Sequence, residues 1–162
     1  MKTAEDILND KGPGIMVSVT PDQRLSDAIA KMNAANVGAM LIEAEGEIIG
    51  IWTERDLLRA TGSPGFDPEQ AVIGDHMKTH LHFADADTPV ERLEEMFLGL
   101  YIRHILIRKE ERFIGLLSIG DVLRASLLEK DKQIKKLNAI ASWQYYENWG
   151  WDRKKRGKTK SR

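Results

Sequence analysis

Hydrophobic positions along the chain indicate two kinds of secondary structure. In the segments Leu25–Met32 and Val90–Leu100, apolar residues recur every three to four positions. This is the period of a helix with one buried face. Each predicted helix follows a short apolar segment, Met16–Val19 in the first case and Leu81–Phe83 in the second, which we interpret as a strand.

Two pairs of apolar segments further along predict β-hairpins. Val37–Ile42 and Ile48–Trp52 form the first pair, and Ile102–Ile107 and Phe113–Leu117 form the second. A short polar segment joins the two members of each pair, which is typical of a hairpin. Both strands of each pair are apolar nearly throughout, so we expect them to be covered on both faces of the sheet.

The chain is a tandem repeat with an offset of 65 residues. At this offset Ile48–Ala60 and Phe113–Ala125 agree at seven of 13 positions, with one threonine–serine exchange counted as agreement. The agreement extends back through the predicted helices and slips by one residue at the first strands, where Val17–Val19 matches Leu81–Phe83. A second helix is predicted after each hairpin, so each repeat is a β-α-β-β-α unit.

The predicted fold class is α+β, with two β-α-β-β-α repeats and a C-terminal helical extension. A repeat of about 60 residues is near the lower limit for an independent hydrophobic core. We therefore expect the repeats to pack sheet to sheet about a pseudo-two-fold axis, with two related clefts between them. The predicted segments are residues 1–66 (first repeat with an N-terminal segment), 67–130 (second repeat), 131–152 (helical and aromatic extension) and 153–162 (basic disordered tail). Glycine and proline in the linker 61–75 predict irregular structure there.

Large aromatic side chains are concentrated in the predicted extension. Residues 143–151 contain three of the four tryptophans of the chain. Exposing so much aromatic surface to water is costly. The segment either packs on its own domain or forms a contact with a second subunit, and the sequence leaves both alternatives open.

Charge is distributed unevenly, although the net charge of the 162-residue chain is only −1. Residues 153–162 contain seven of the 24 basic side chains and no acidic one. The rest of the chain therefore has 17 basic against 25 acidic side chains. Because affinity for nucleic acid comes mainly from neutralising phosphates, we expect no nucleic-acid partner except through the basic tail.

Composition excludes several classes of function. The chain has no cysteine, which rules out disulfides, a thiolate nucleophile and cysteine-ligated metals. No apolar run reaches the ~18 residues of a membrane span, and the N-terminus has no secretory signal. We therefore expect a soluble, cytoplasmic protein with no membrane partner. No nucleophile elbow or dinucleotide fingerprint is present, and we predict that the protein is not an enzyme.

Three histidines, His76, His80 and His82, are candidates for a metal site. A zinc site needs three or four ligands in a fixed geometry, and no further ligand is placed to complete this group. We interpret them as ordinary side chains between the repeats and predict no metal.

The most specific motif has a glycine, a hydroxyl residue and a carboxylate at three-residue spacing. It occurs in both repeats at the predicted start of the second helix, as Gly50, Thr53 and Asp56 and as Gly115, Ser118 and Asp121. A threonine or serine followed three residues later by an acid is typical of a helix N-terminal cap. The same hydroxyl and helix N-terminus can bind a phosphate, and the carboxylate can bind a ribose diol. The residues alone leave both interpretations open.

The repeated stretches NVGAMLIEAEGEIIGIWTERDLLRA and YIRHILIRKEERFIGLLSIGDVLRA resemble the CBS domain, and two in tandem resemble a Bateman module. The resemblance covers about residues 3–128. It implies a non-catalytic regulatory protein that binds an adenosine ligand (AMP, ADP, ATP, S-adenosylmethionine or NAD) in the clefts. Ligand binding would change the arrangement of the repeats and pass that change to a regulated partner protein. Because such modules commonly pair into disc-like dimers, the resemblance also implies a homodimer.

The resemblance further implies which residues bind the nucleotide. Asp56 and Asp121 would hold the ribose, and Thr53 and Ser118 would lie near the phosphates. The complete set of implied nucleotide-binding residues is Thr20, Val37, Gly38, Ala39, Thr53, Arg55, Asp56, Lys78, Ile102, Arg103, His104, Ser118 and Asp121.

The two motifs differ at one position that matters for phosphate binding. The first motif has Arg55 where the second has Gly120. A guanidinium binds phosphate oxygens through charge-assisted hydrogen bonds, so we expect tighter phosphate binding at the first motif. The alternative function is a protein-interaction module with empty clefts, acting through its aromatic and basic C-terminus.

Overall fold

The computed structural model of the protein describes residues 1–12 and 16–156, with side chains described as far as Ala141. Its elements are, in chain order, α1 (Ala4–Lys11), β1 (Ser18–Val19), α2 (Leu25–Ala35), β2 (Ala39–Ala44), β3 (Glu47–Thr53), α3 (Glu54–Thr61), α4 (Ile73–His76), β4 (Phe83–Asp85), α5 (Val90–Leu100), β5 (His104–Lys109), β6 (Arg112–Ser118) and α6 (Ile119–Arg156). The predicted α+β class and the β-α-β-β-α order of each repeat are confirmed.

The six strands form two three-stranded sheets, one in each repeat. The strand order is β1-β2-β3 in the first sheet and β4-β5-β6 in the second. In both sheets the first strand runs parallel to the central strand, which pairs antiparallel with the third. The predicted hairpins are confirmed, with strand bounds that differ from the predicted ones by one or two residues. Strand β1 is shorter than predicted, because it begins at Ser18 and not at Met16.

The pairing of the first strands corrects the predicted alignment of the repeats. Ser18 lies opposite Leu41, and Phe83 lies opposite Leu106, so both pairs keep the 65-residue offset. The predicted one-residue slip is wrong, and β4 begins two residues later than Leu81. Leu81 resembles a strand residue in sequence because it is apolar, but it packs at the edge of the core between the sheets.

Hydrophobic cores lie on both faces of the first sheet, as the apolar strands predict. On one face Met40 and Ile42 pack against residues of α2 and α4. On the other, Leu41 packs with Leu106 in a core between the sheets. That core contains pairs at the 65-residue offset: Leu41 and Leu106, Ile48 and Phe113, and Ile51 and Leu116. Equivalent residues of the two repeats therefore meet, as pseudo-two-fold packing requires.

The N-terminal helix α1 is a feature that the hydrophobic pattern does not indicate. Its start is fixed by a capping box in which the Thr3 N–H donates to Asp6 at 2.9 Å and the Asp6 N–H donates to the Thr3 hydroxyl at 3.3 Å. This helix packs on the second repeat, because a Cβ on Gly115 of β6 would lie 2.7 Å from a methyl of Leu8. The absence of a side chain at Gly115 thus allows α1 to pack closely on β6.

The linker between the repeats contains the short helix α4, where irregular structure was expected. Ile73 is completely buried in the core of the first repeat. Just after α4, Met77 packs so closely on Gly50 of β3 that a Cβ at Gly50 would overlap its sulfur. Met77 therefore covers the first sheet as Leu8 covers the second. The division of the repeats between residues 66 and 67 stays a prediction.

Helix α6 begins the C-terminal part of the chain. Met1–Leu123 forms one compact unit, a second unit begins at Arg124, and α6 ends at Arg156. The helix therefore enters the segment predicted as a disordered tail, whose last residues, 157–162, lie outside the described part of the chain. The side chains of the aromatic segment 143–151 also lie outside it. Within the described residues, no helix combines the length and apolar character needed to cross a membrane.

We predict that Gly74→Ala destabilises the protein, because a Cβ at Gly74 would lie 2.7 Å from the backbone oxygen of Pro21. Overpacking of this kind costs about 1–3 kcal/mol. The control is Gly99→Ala in α5, where a Cβ meets nothing within 4 Å. In a helix that change should raise the free energy of unfolding by up to about 1 kcal/mol. Urea titration measures both variants, and equal effects would contradict the proposed close contact.

Candidate ligand-binding site

The motif at the start of each second helix lies beside the start of the central strand of its own repeat. The Glu54 N–H donates to the Gly38 carbonyl at 3.0 Å, and the Ile119 N–H donates to the Arg103 carbonyl at 3.0 Å. The two bonds are equivalent at the 65-residue offset. The first N–H group of each motif helix therefore already has an acceptor in the protein and is not available to bind an anion.

Asp56 is held by Thr53 and Lys78. Its Oδ2 accepts hydrogen bonds from the Thr53 N–H at 3.0 Å and the Thr53 hydroxyl at 2.9 Å. Its Oδ1 lies 2.8 Å from Lys78 Nζ, and only 8% of the Asp56 side chain is exposed. Burial raises the pKa of Asp56, but the hydrogen bonds from Lys78 and Thr53 outweigh it and hold the pKa below its usual value. Asp56 is thus a buried carboxylate that stays ionised.

Asp121 has a similar environment in the second repeat, with all its donors on one oxygen. Its Oδ2 accepts from the Ser118 N–H at 2.8 Å and the Ser118 hydroxyl at 2.9 Å, and it lies 2.8 Å from Lys11 Nζ. Burial raises the pKa of Asp121, whereas the bonds from Lys11 and Ser118 lower it further, so the net direction is downward. The capping interpretation of both motifs is therefore realised in this structure.

Lys11 is a site residue that sequence reasoning missed. It is 110 residues from Asp121 in the chain, and no local pattern links the two. The only available signal was the Thr3-x-x-Asp6 capping pattern, which predicts the helix that ends at Lys11. Lys78 was among the predicted residues, and the structure places it on Asp56.

Two clefts lie between the repeats, and each contains the motif of one repeat and the strand start of the other. The Thr53 cleft has a volume of about 950 Å³. The Ser118 cleft has a volume of about 650 Å³. Of the predicted residues, the Thr53 cleft contains Gly38, Thr53, Arg55, Lys78, Ile102, Arg103 and His104. The Ser118 cleft contains Val37, Gly38, Ala39, His104 and Ser118.

Three predicted residues do not line either cleft. Asp56 and Asp121 lie behind Thr53 and Ser118, to which they are hydrogen-bonded. Thr20 lines a separate pocket of about 460 Å³ with Ser18, Val19 and its neighbours in the turn before α2. The structure therefore does not bring Thr20 together with the other predicted residues. Strands β1 and β2 are parallel, and the clefts lie where these strands begin. Thr20 follows the end of β1 and so lies at the other edge of the sheet.

The charges lining the two clefts differ strongly. The described residues that line the Thr53 cleft include four cations, Arg55, Arg59, Lys78 and Arg103, and one acid, Glu54. Among the described residues that line the Ser118 cleft, Lys11 is the one lysine or arginine. Arg59 was not predicted, although it lies four residues after Arg55 on the same helix and therefore on the same face.

His104 lies between the clefts and contributes to both. Burial lowers the pKa of His104, and the positive charge of Lys11 lowers it further. His80 and His82 lie in the Thr53 cleft with their rings edge to face, 4.9 Å apart, whereas His76 contacts Phe66. In the part of the chain that the structure describes, no three histidine or carboxylate side chains are grouped to hold a metal ion.

The family model of the CBS domain matches the chain twice, over residues 13–63 and 73–128. The two matches contain the two sheets, and the clefts lie between them. The chain belongs to the CBS domain family as a tandem pair. Proteins of this family are generally regulatory, and the matches indicate no enzyme family.

Three known proteins illustrate this similarity. The chain is 34% identical over 151 residues to "CBS domain-containing protein CBSX3, mitochondrial" of Arabidopsis thaliana, covering 88% of this chain and 73% of the relative. A CBS-domain protein structure from Agrobacterium tumefaciens is similar at 30% identity and a TM-score of 0.69, over 76% of this chain and 98% of that chain. CBSX2, solved in complex with AMP, shares the fold at 21% identity and a TM-score of 0.67, over 80% of this chain and 99% of that chain.

The lowered pKa of His104 predicts a pH-dependent stability. The unfolded histidine titrates near 6.5, whereas the folded protein resists protonation, so the free energy of unfolding falls as the pH drops below about 6.5. One such group contributes at most about 1.4 kcal/mol per pH unit. His104→Ala, which places the residue of the equivalent position Ala39, should reduce the slope between pH 7 and 5. Urea midpoints across this range measure the slope, and equal slopes in the two proteins would contradict the assignment.

Proposed function

We propose that the protein is a non-catalytic sensor of adenosine nucleotides (AMP, ADP, ATP or NAD) that binds them in its two clefts. The observation that carries this proposal is the buried, ionised Asp56 directly behind a cleft lined by four cations. A carboxylate suits the hydroxyl pair of a ribose, and lysine and arginine suit phosphates. AMP in the related CBSX2 structure supports an adenine nucleotide as the ligand class.

The carboxylates of Asp56 and Asp121 differ in which oxygens they leave free to accept hydrogen bonds from a ribose. A carboxylate has about four acceptor positions. At Asp56, Thr53 uses Oδ2 twice and Lys78 occupies Oδ1. A ribose diol brings two donors, so it must compete with Lys78 for Oδ1. At Asp121 the described donors all contact Oδ2, so a diol binds Oδ1 without displacing Lys11.

This difference suggests how binding becomes a signal. In the Thr53 cleft, ligand binding releases the Lys78 side chain from Asp56 and makes its ammonium available to the phosphates. The Lys78 backbone is bonded to Ile51 of β3 in both directions, at 2.9 and 3.0 Å, so its position is coupled to the first sheet. Because the lining of this cleft comes from both repeats, with Thr53 from the first and Arg103 from the second, its occupancy favours one arrangement of the two repeats. A regulated partner protein recognises that arrangement.

We extend the proposal to assembly and location. The protein acts as a homodimer, as the family resemblance implies, and light scattering of the full chain measures this. Several apolar side chains are exposed and available to a second copy, among them Leu58 of α3 and Leu98 of α5. A cytoplasmic location stays a prediction, while the Arabidopsis relative is mitochondrial by its name.

The alternative function, an interaction module with empty clefts, depends on the aromatic and basic C-terminus. The side chains of that segment lie outside the described residues. The lining of the Thr53 cleft favours the sensor, because its four cations outnumber the two carboxylates at the cleft, Glu54 and Asp56, and the remaining positive charge attracts an anion.

We predict that the clefts are unequal and that Asp56→Ala weakens the tighter of two nucleotide-binding events by roughly ten- to a hundredfold. Loss of a charge-assisted hydrogen bond costs about 1.5–3 kcal/mol, or roughly ten- to a hundredfold in affinity. Asp121→Ala should largely spare this event, because it alters the cleft with the single cation. Calorimetric titration with ATP and AMP measures both variants.

The matched control is Asp27→Ala on the exposed face of α2, which should change neither binding event. Thermal unfolding of each variant without ligand establishes that it is folded. If Asp121→Ala removes the tighter event and Asp56→Ala spares it, the assignment of the clefts is wrong. If wild type binds no adenosine nucleotide, the sensor proposal fails and the interaction module replaces it.

A further inference from the structure

Tyr101, the residue after α5, has a backbone conformation that is unfavourable for a bulky side chain. Its φ and ψ are 54° and 32°, in the left-handed helical region. Tyrosine is rarely found there, and the conformation costs about 1–2 kcal/mol for an ordinary residue. The equivalent residue of the first repeat, Asn36, has φ 53° and ψ 46°. Asparagine tolerates this region well, so at this turn the second repeat is strained and the first is not.

Packing against the described residues does not compensate for this strain. Tyr101 is 92% exposed, more than any other large apolar or aromatic side chain in the described residues. A strained residue that is retained without packing indicates a role outside the fold. The fold itself is satisfied by asparagine at this turn, as Asn36 demonstrates.

The position of Tyr101 identifies that role. It lines the mouth of the Thr53 cleft beside Arg103 and the exposed Leu58. Asn36, its counterpart, lines the Ser118 cleft. The cleft with four cations thus also has an aromatic ring at its mouth, while the cleft with one cation has an amide at the same place. The ring is free to meet a ligand because nothing else in the described residues covers it.

We propose that Tyr101 is a specificity-determining residue of the Thr53 cleft, where its ring stacks on the aromatic base of the ligand. The proposal rests on the proposed nucleotide function. It predicts that the Thr53 cleft discriminates between a nucleotide and its phosphate chain alone, since stacking requires a π face and is tolerant of which base supplies it. The Ser118 cleft has Asn36 at the equivalent position, so it lacks this stacking contribution.

The test compares Tyr101→Asn and Tyr101→Phe with wild type, using calorimetric titration of the full chain with ATP and with inorganic tripolyphosphate. Tyr101→Asn should weaken ATP binding in the tighter cleft about tenfold, because base–aromatic stacking contributes that much. It should change tripolyphosphate binding by less than about twofold. Tyr101→Phe, which keeps the ring, should bind ATP as wild type does.

A second readout separates this role from a structural one. Tyr101→Asn relieves the left-handed strain, so the thermal midpoint without ligand should rise by about 2 °C. A fall in the midpoint, dissociation of an oligomer in light scattering, or equal losses for ATP and tripolyphosphate would overturn the proposal. Unchanged ATP binding by Tyr101→Asn would also overturn it, while leaving the nucleotide function intact. Absence of binding by wild type to ATP, ADP, AMP and NAD alike would instead reject the nucleotide function itself.

Discussion

The packing of the two sheets against each other is the contact on which the rest of the structure depends. Leu41 and Leu106, equivalent residues of the two central strands, are almost completely buried in the core between the sheets. Because this core joins equivalent faces, the start of each central strand is brought to the motif of the other repeat. The clefts exist only as a product of that packing, so neither repeat alone can form one.

Segments outside the β-α-β-β-α units complete both the sheets and the sites. Helix α1, from the N-terminus, packs on β6 of the second repeat and supplies Lys11 to Asp121. The linker after α4 packs on β3 of the first repeat and supplies Lys78 to Asp56. In both cases the first residue of the motif, Gly115 or Gly50, leaves room for the covering side chain. The motif glycine therefore has a structural cause in close packing, separate from any role in ligand binding.

The fold was predictable from sequence where the pattern was local or repeated. The 65-residue offset, the hairpins and the capped helices all follow from residues close together in the chain. The slip at the first strand was wrong because Leu81 is apolar but lies in the core between the sheets and not in β4. Lys11 was missed because its partner Asp121 is distant in sequence. The placement of Arg103 beside Arg55 likewise depends on how the repeats meet, which the local pattern does not determine.

We propose that the clefts between the repeats bind adenosine nucleotides. The most direct test is the thermal midpoint of the full chain with and without AMP, ADP, ATP, NAD or S-adenosylmethionine at millimolar concentration. A ligand that binds only the folded protein raises the midpoint, and at 100 times its Kd it stabilises the fold by about 2.7 kcal/mol. We expect a concentration-dependent rise with at least one of these ligands. An unchanged midpoint with all of them would contradict nucleotide binding in the clefts.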